Sequence, residues 1–277
     1  RRGTRGGQAD MAAFVLIHGA FMGGWVWQRM ATTLGGLGHD CLRPTLTGCG
    51  ERSHLLRPEI SLAWHVEDVA QALFHEDLER VVLVGHGYGS MIAAAVAHRH
   101  SGKVAGVVHL DGVLPERGKS FAQLCGRAAL RGGAVGPGRG DGGDWLIPPP
   151  TAESLGVSCR ELGRWLSVRL QPFPRACLED AYAYGDRDRQ LPGVFLRTTA
   201  QDDRPAKSQA ARAALSSMPV VELPLGPLPM ITSPGRLAQA LSSLAQEMGP
   251  SEPPAPRRLA RPVRCKARGQ GPEADSS

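Results

Sequence analysis

The stretch VVLVGHGYGS, residues 81–90, joins an apolar run to an alanine-rich segment through closely spaced glycines. A strand that turns sharply into a helix between two glycines, G-x-S-x-G, is a mount on which a Ser or Cys is presented as a nucleophile. Gly85 and Gly89 frame such a turn here, yet the central position is Gly87. A nucleophile of this kind also needs a His to take its proton and an acid to orient that His. The nine histidines stand at 18, 39, 54, 65, 75, 86, 98, 100 and 109, and none lies beyond 109. Apex residues are held in a conformation that costs on the order of 1–3 kcal/mol, which a residue without Cβ largely avoids, so Gly87 is expected to stabilise the turn.

Other groups able to do chemistry are few. Ser90 is the nearest hydroxyl, three residues past the apex and one turn into the helix, where a structural role competes with a nucleophilic one. His109 and Asp111 share a strand face by the two-residue period and stand at a carboxyl edge, where α/β sites collect. They read as an acid–base pair or as a loop anchor. Glu51, Arg52, Ser53 and His54 form a compact polar group that either acts chemically or positions its loop. Trp25 and Trp27 read equally as pocket lining or as core.

The elements that must position these residues alternate between strand and helix patterns, the signature of a parallel sheet covered on both faces. Strands are predicted at 13–18, 39–44, 80–85, 104–110, 193–199 and 219–225. Helices are predicted from 27 to about 37, at 61–76 with Ser61 as N-cap, and at 88–98, 206–216 and 234–248. Residues 112–190 break this rhythm with the Gly-rich stretch RGGAVGPGRGDGGD and a PPP turn, and read as an inserted cap. The expected organisation is a 1–10 disordered extension, a core of 11–111 and 191–248, the cap, and a disordered basic tail at 249–277.

Charge and composition narrow the partners. Of the net charge of +6, residues 1–10 carry +2 and residues 248–277 carry +3, so the body holds only +1 and no basic nucleic-acid face is expected. No apolar run is long enough to span a membrane and the first ten residues lack a signal-peptide core, so a soluble, cytoplasmic protein is expected. The cysteines at 41, 49, 125, 159, 177 and 265 show no CxxC pair, which argues for reduced thiols and against a metal site. A small molecule is the expected partner; no cofactor is called for, and a homodimer is left open.

From about residue 13 to 247 the chain resembles the α/β-hydrolase superfamily, in the group that contains plant hydroxynitrile lyases, plant-hormone methylesterases and bacterial esterases. The resemblance rests on LIHGAFMGGWVWQRM, PTLTGCGERSHLL, VVLVGHGYGSM, LDGVLPERGKS and ELPLGPLPMITSP. It implies a doubly wound, mostly parallel sheet of about six strands with a cap after the fourth. It also implies a Ser at position 87, a His at position 227 and an acid near 201, where this chain has Gly87, Pro227 and Gln201, or Asp202 with a one-residue slip. The backbone N–H groups of Ala20 and Tyr88 match the family's oxyanion hole, and the expected pocket comprises His18, Gly19, Phe21, Trp25, His86 and Gly87.

Three functions follow from these residues. One is a non-hydrolytic enzyme performing cyclisation, isomerisation, elimination or bond formation on a small, largely apolar carbonyl compound. Another is a non-catalytic binding protein on a hydrolase fold. The third is a weak esterase with relocated groups, for which Ser90, His109 and Asp111 are the candidates.

Overall fold

Strands covered on both faces read as continuous apolar runs, and those runs form the sheet. The computed structural model describes residues 11–126, 144–185, 192–200 and 204–249. The strands are β1 (Ala13–Ile17), β2 (Asp40–Leu42), β3 (Val81–His86), β4 (Val104–Leu110), β5 (Leu146–Ile147), β6 (Phe173–Pro174), β7 (Gly193–Thr198) and β8 (Val220–Leu223). Six of them make one sheet in the order β2-β1-β3-β4-β7-β8, with every neighbouring pair parallel. The expected six-stranded α/β architecture is observed.

The helices are α1 (Gln28–Gly36), α2 (Leu62–His75), α3 (Gly89–Arg99), α4 (Phe121–Cys125), α5 (Arg160–Ser167), α6 (Arg175–Glu179), α7 (Arg204–Leu215), α8 (Pro229–Thr232) and α9 (Pro234–Glu247). The two-residue strand period divides the sheet's side chains between two cores. Phe14, Leu16, Val82, Val84, Val108 and Leu110 pack with residues of α1 and α9. Val15, Ile17, Leu83 and Val107 pack with residues of α2 and α3. Ser61 holds the N-cap position of α2, but its side chain makes no capping bond; the Asp180 carboxylate accepts from the Leu62 N–H at 3.2 Å instead.

Between β4 and β7 the chain leaves the sheet, and its described part forms α4, the antiparallel β5–β6 pair, α5 and α6. Ile147, Phe173 and Cys177 extend the core beneath α2 and α3, while Ala152, Leu166 and Leu170 join the other core. Most of the Gly-rich stretch and both terminal tails lie outside the described residues. Among the described residues no helix is long and apolar enough to cross a membrane.

Candidate functional site

Left-handed backbone gathers at the carboxyl edge of the sheet. Phe21 after β1, Gly87 after β3, Asp111 after β4 and Leu228 after β8 have φ of 67°, 54°, 43° and 49°. Outside glycine such angles cost ~1–3 kcal/mol each and cluster where a site over-determines the chain. Asp77, Arg80 and Ser217 share the conformation in connections that lead into β3 and β8.

At the elbow, β3 enters α3 with backbones in contact. A Cβ on Gly85 would stand 2.5 Å from the Gly89 carbonyl oxygen, and one on Gly89 would stand 2.6 Å from that of Ile17. Only glycine permits this approach of strand to helix. Gly87 differs, because a Cβ there meets no atom within 4 Å. The turn is fixed by the Gly87 N–H donating to Leu110 at 3.1 Å and the Ser90 N–H donating to Gly87 at 3.2 Å. The apex therefore has room for a side chain and carries none.

Beside it runs the turn His18-Gly19-Ala20-Phe21. Phe21 is held in its left-handed conformation by the Gln171 N–H, which donates to its carbonyl at 3.0 Å, and by the Phe173 ring at 5.6 Å. No hydrogen bond among the described residues uses the N–H of Ala20 or of Tyr88. Two uncommitted N–H groups at adjoining turns can stabilise an oxygen on which negative charge develops.

The side chains around these turns are largely committed. His18 is fully buried; its Nε2 accepts from the Leu46 N–H at 3.1 Å, so Nδ1 carries the proton and donates to the Gly19 carbonyl at 2.8 Å. Burial lowers its pKa to about 4. The Tyr88 hydroxyl donates to His65 Nδ1 at 3.0 Å, and His65 Nε2 donates to the Thr47 carbonyl at 3.0 Å. Thr47 in turn donates its N–H and hydroxyl to Asp68 at 2.6 and 2.7 Å. Arg52 bonds Asp68 at 3.2 Å and the Thr45 carbonyl at 2.7 Å, which makes it the anchor of the 45–55 loop.

Ser90 is buried, with its hydroxyl donating to the Gly85 carbonyl at 2.9 Å, the bond of a helix serine. Asp111 accepts from the N–H and the hydroxyl of Thr198, both at 2.7 Å, and so ties the end of β4 to β7. His109 is buried beside Gly85 and Phe195 in the ladder, and burial lowers its pKa to about 4. Because paired residues point the same way, His109 lies on the α3 face, whereas His86 lies on the opposite face, edge-on to Trp27. Trp27 is core; Trp25 is half-buried and packs against Trp165 at 5.2 Å.

After β8, Gly226-Pro227-Leu228 leads into α8, and the Thr232 hydroxyl reaches the Pro227 and Leu228 carbonyls at 3.3 and 3.2 Å. Gln201 and Asp202 lie outside the described residues. Among the described residues the surface carries a groove of about 490 Å³ lined by Trp25, Arg29, Trp165 and Ile231, and another of about 730 Å³ lined by Arg52, Trp64, Asp68 and Glu76. Of the expected pocket residues only Trp25 lines either groove. No group of three or more His, Cys, Asp or Glu among the described residues could hold a metal ion.

Residues 14–240 match the alpha/beta hydrolase family. The carbendazim hydrolyzing esterase of Nocardioides sp. (strain SG-4G) is 33% identical over 242 residues, which cover 84% of this chain and 100% of that protein. Methylesterase 8 of Arabidopsis thaliana is 28% identical over 104 residues, 37% of this chain and 38% of its own length. Tomato methylketone synthase I complexed with 2-tridecanone superposes with a TM-score of 0.72 at 20% identity, over 86% of this chain and 99% of that one.

Proposed function

The chain belongs to the alpha/beta hydrolase family, and from that premise we propose that it does not hydrolyse esters through a Ser-His-acid triad. It acts instead on a small, largely apolar carbonyl compound, by isomerisation, elimination, cyclisation or bond formation. The observation that carries this reading is Gly87, at an apex with open space and no nucleophile. We read Pro227 as standing where the family places its His. The chain has no histidine after position 109, and β8 ends at Leu223, so no proton acceptor of that kind follows the last strand.

The remaining chemistry is electrostatic. The amides of Ala20 and Tyr88 hold the carbonyl oxygen and stabilise charge that develops on it, an effect for which one donor alone is worth about 10²–10³ in rate. The described residues 112–126 and 144–185 contribute the cap of this reading: Phe173 and Gln171 brace Phe21 from that segment. The methylketone synthase structure holds a ketone, 2-tridecanone, which is the class of ligand this reading assigns to the site.

A second reading, a weak esterase, is favoured by the 33% identity to a carbendazim hydrolyzing esterase over that protein's whole length. Two measurements decide. Native mass spectrometry identifies the small molecule that co-purifies, and incubation with it distinguishes conversion from simple retention. Carbendazim and nitrophenyl butyrate are expected to remain intact; esterase-level hydrolysis that survives repurification establishes the second reading.

A further inference from the structure

Of the buried imidazoles near the sheet's carboxyl edge, His18 and His65 commit both ring nitrogens to partners inside the protein. His86 commits neither. Its Nδ1 is buried without a partner, and no hydrogen bond among the described residues engages its Nε2, although the ring is only half-buried. The ring stands edge-on to Trp27, with centroids 6.5 Å apart. Its Nδ1 lies against Gly19, where a Cβ would approach to 3.1 Å. Gly19 immediately precedes Ala20, and His86 immediately precedes Gly87. The Nδ1 edge of the imidazole thus faces the turn that carries the Ala20 N–H, and the backbone of His86 leads into the turn that carries the Tyr88 N–H.

The tautomer follows from burial. A buried N–H with no acceptor forfeits a full hydrogen bond, and Nδ1 is buried without a partner, so we assign the proton to Nε2. Burial also keeps the ring neutral, with a pKa lowered to about 4. A neutral imidazole in this state is a donor, as in sites where a histidine polarises a carbonyl without being charged. The nearby Trp27 Nε1, also buried and unpartnered, is a donor as well.

We propose that His86 is a third hydrogen-bond donor to the oxygen held at the Ala20 and Tyr88 amides. The site therefore selects an oxygen that only accepts, that of a ketone or aldehyde, over a hydroxyl. An alcohol brings an O–H of its own into a set of donors and leaves it without an acceptor, which weakens its binding. This inference rests on the carbonyl-site reading above.

The test compares 2-nonanone with 2-nonanol, equal in chain length, by ligand-observed NMR titration of the full chain. The parent is expected to bind the ketone about tenfold more tightly than the alcohol. His86→Phe keeps an aromatic ring and removes both nitrogens; it is expected to weaken ketone binding about tenfold and to leave alcohol binding within about twofold, the size of one net hydrogen bond. His86→Gln, which restores an N–H donor, is expected to recover part of the loss, and its thermal midpoint guards against misfolding. Gly87→Leu, which fills the apex, is expected to abolish binding of both. Ketone binding that survives His86→Phe but is lost in Gly87→Leu overturns the role of His86 alone. No ketone binding by the parent, or binding indifferent to Gly87→Leu, overturns the carbonyl site and this inference with it.

Discussion

Lowering the pH from 7.5 to 5.5 is expected to destabilise the protein through its buried histidines. His18 and His109 are 0% and 4% exposed, and burial lowers each from the ordinary value of 6.5 to about 4. A folded-state pKa below the unfolded one means that the unfolded chain binds more protons between about pH 6.5 and 4. The stabilisation is therefore complete above pH 6.5 and is lost as the pH falls toward 4. At pH 5.5 the unfolded imidazole is protonated about ten to one while the folded one is almost wholly neutral, which costs about 1.4 kcal/mol per ring. The two rings together remove about 3 kcal/mol, against a total stability of about 5–15 kcal/mol for a typical domain. His65 and the half-buried His86 are also lowered by burial and act in the same direction. Urea unfolding at the two pH values measures the loss, and His109→Phe should reduce it by about 1.4 kcal/mol. Equal stability at pH 7.5 and 5.5, or ring resonances of His18 and His109 that titrate near 6.5, would refute the reasoning.

The glycines of the elbow should separate sharply. Gly85→Ala places its Cβ 2.5 Å from the Gly89 carbonyl oxygen and should prevent folding, whereas Gly87→Ala meets nothing and should cost only about 1 kcal/mol for its left-handed φ, both read by thermal unfolding. Asp68→Ala leaves the Thr47 N–H, the Thr47 hydroxyl and Arg52 without their shared acceptor. It should cost about 2–4 kcal/mol and accelerate hydrogen exchange across residues 45–55. Asp111→Ala removes the acceptor of both Thr198 bonds and should destabilise by about 2–3 kcal/mol in urea.

The sheet was legible in the sequence because a strand buried on both faces has no choice but a continuous apolar run, as in AFVLI and VVLVGH. The elbow was legible because the close approach of strand to helix at Gly85 and Gly89 admits no other residue, so glycine spacing records the geometry directly. Long-range polar pairs left no such trace. Asp68 with Thr47 and Asp180 with the Leu62 N–H are matched only by the fold, and neither aspartate stands out in the sequence; Asp111 was legible as a loop anchor at the end of β4, but its partner Thr198 was not. Asp180 takes the capping bond expected of Ser61 because the segment carrying it packs against α2, which no local pattern encodes. The pairing of Trp25 with Trp165 was hidden for the same reason. His109 and His86 were separable in principle: the two-residue period together with the β3–β4 register puts them on opposite faces, but that register is known only from the sheet.

The proposal that the chain lacks a triad nucleophile is tested most directly by incubating the purified chain with a serine-directed fluorophosphonate and weighing the intact protein. The expected result is an unmodified mass, since Gly87 offers no hydroxyl at the apex and Ser90 is buried with its hydroxyl bonded to Gly85. A single stoichiometric adduct, mapped to any serine of the chain, would contradict the account.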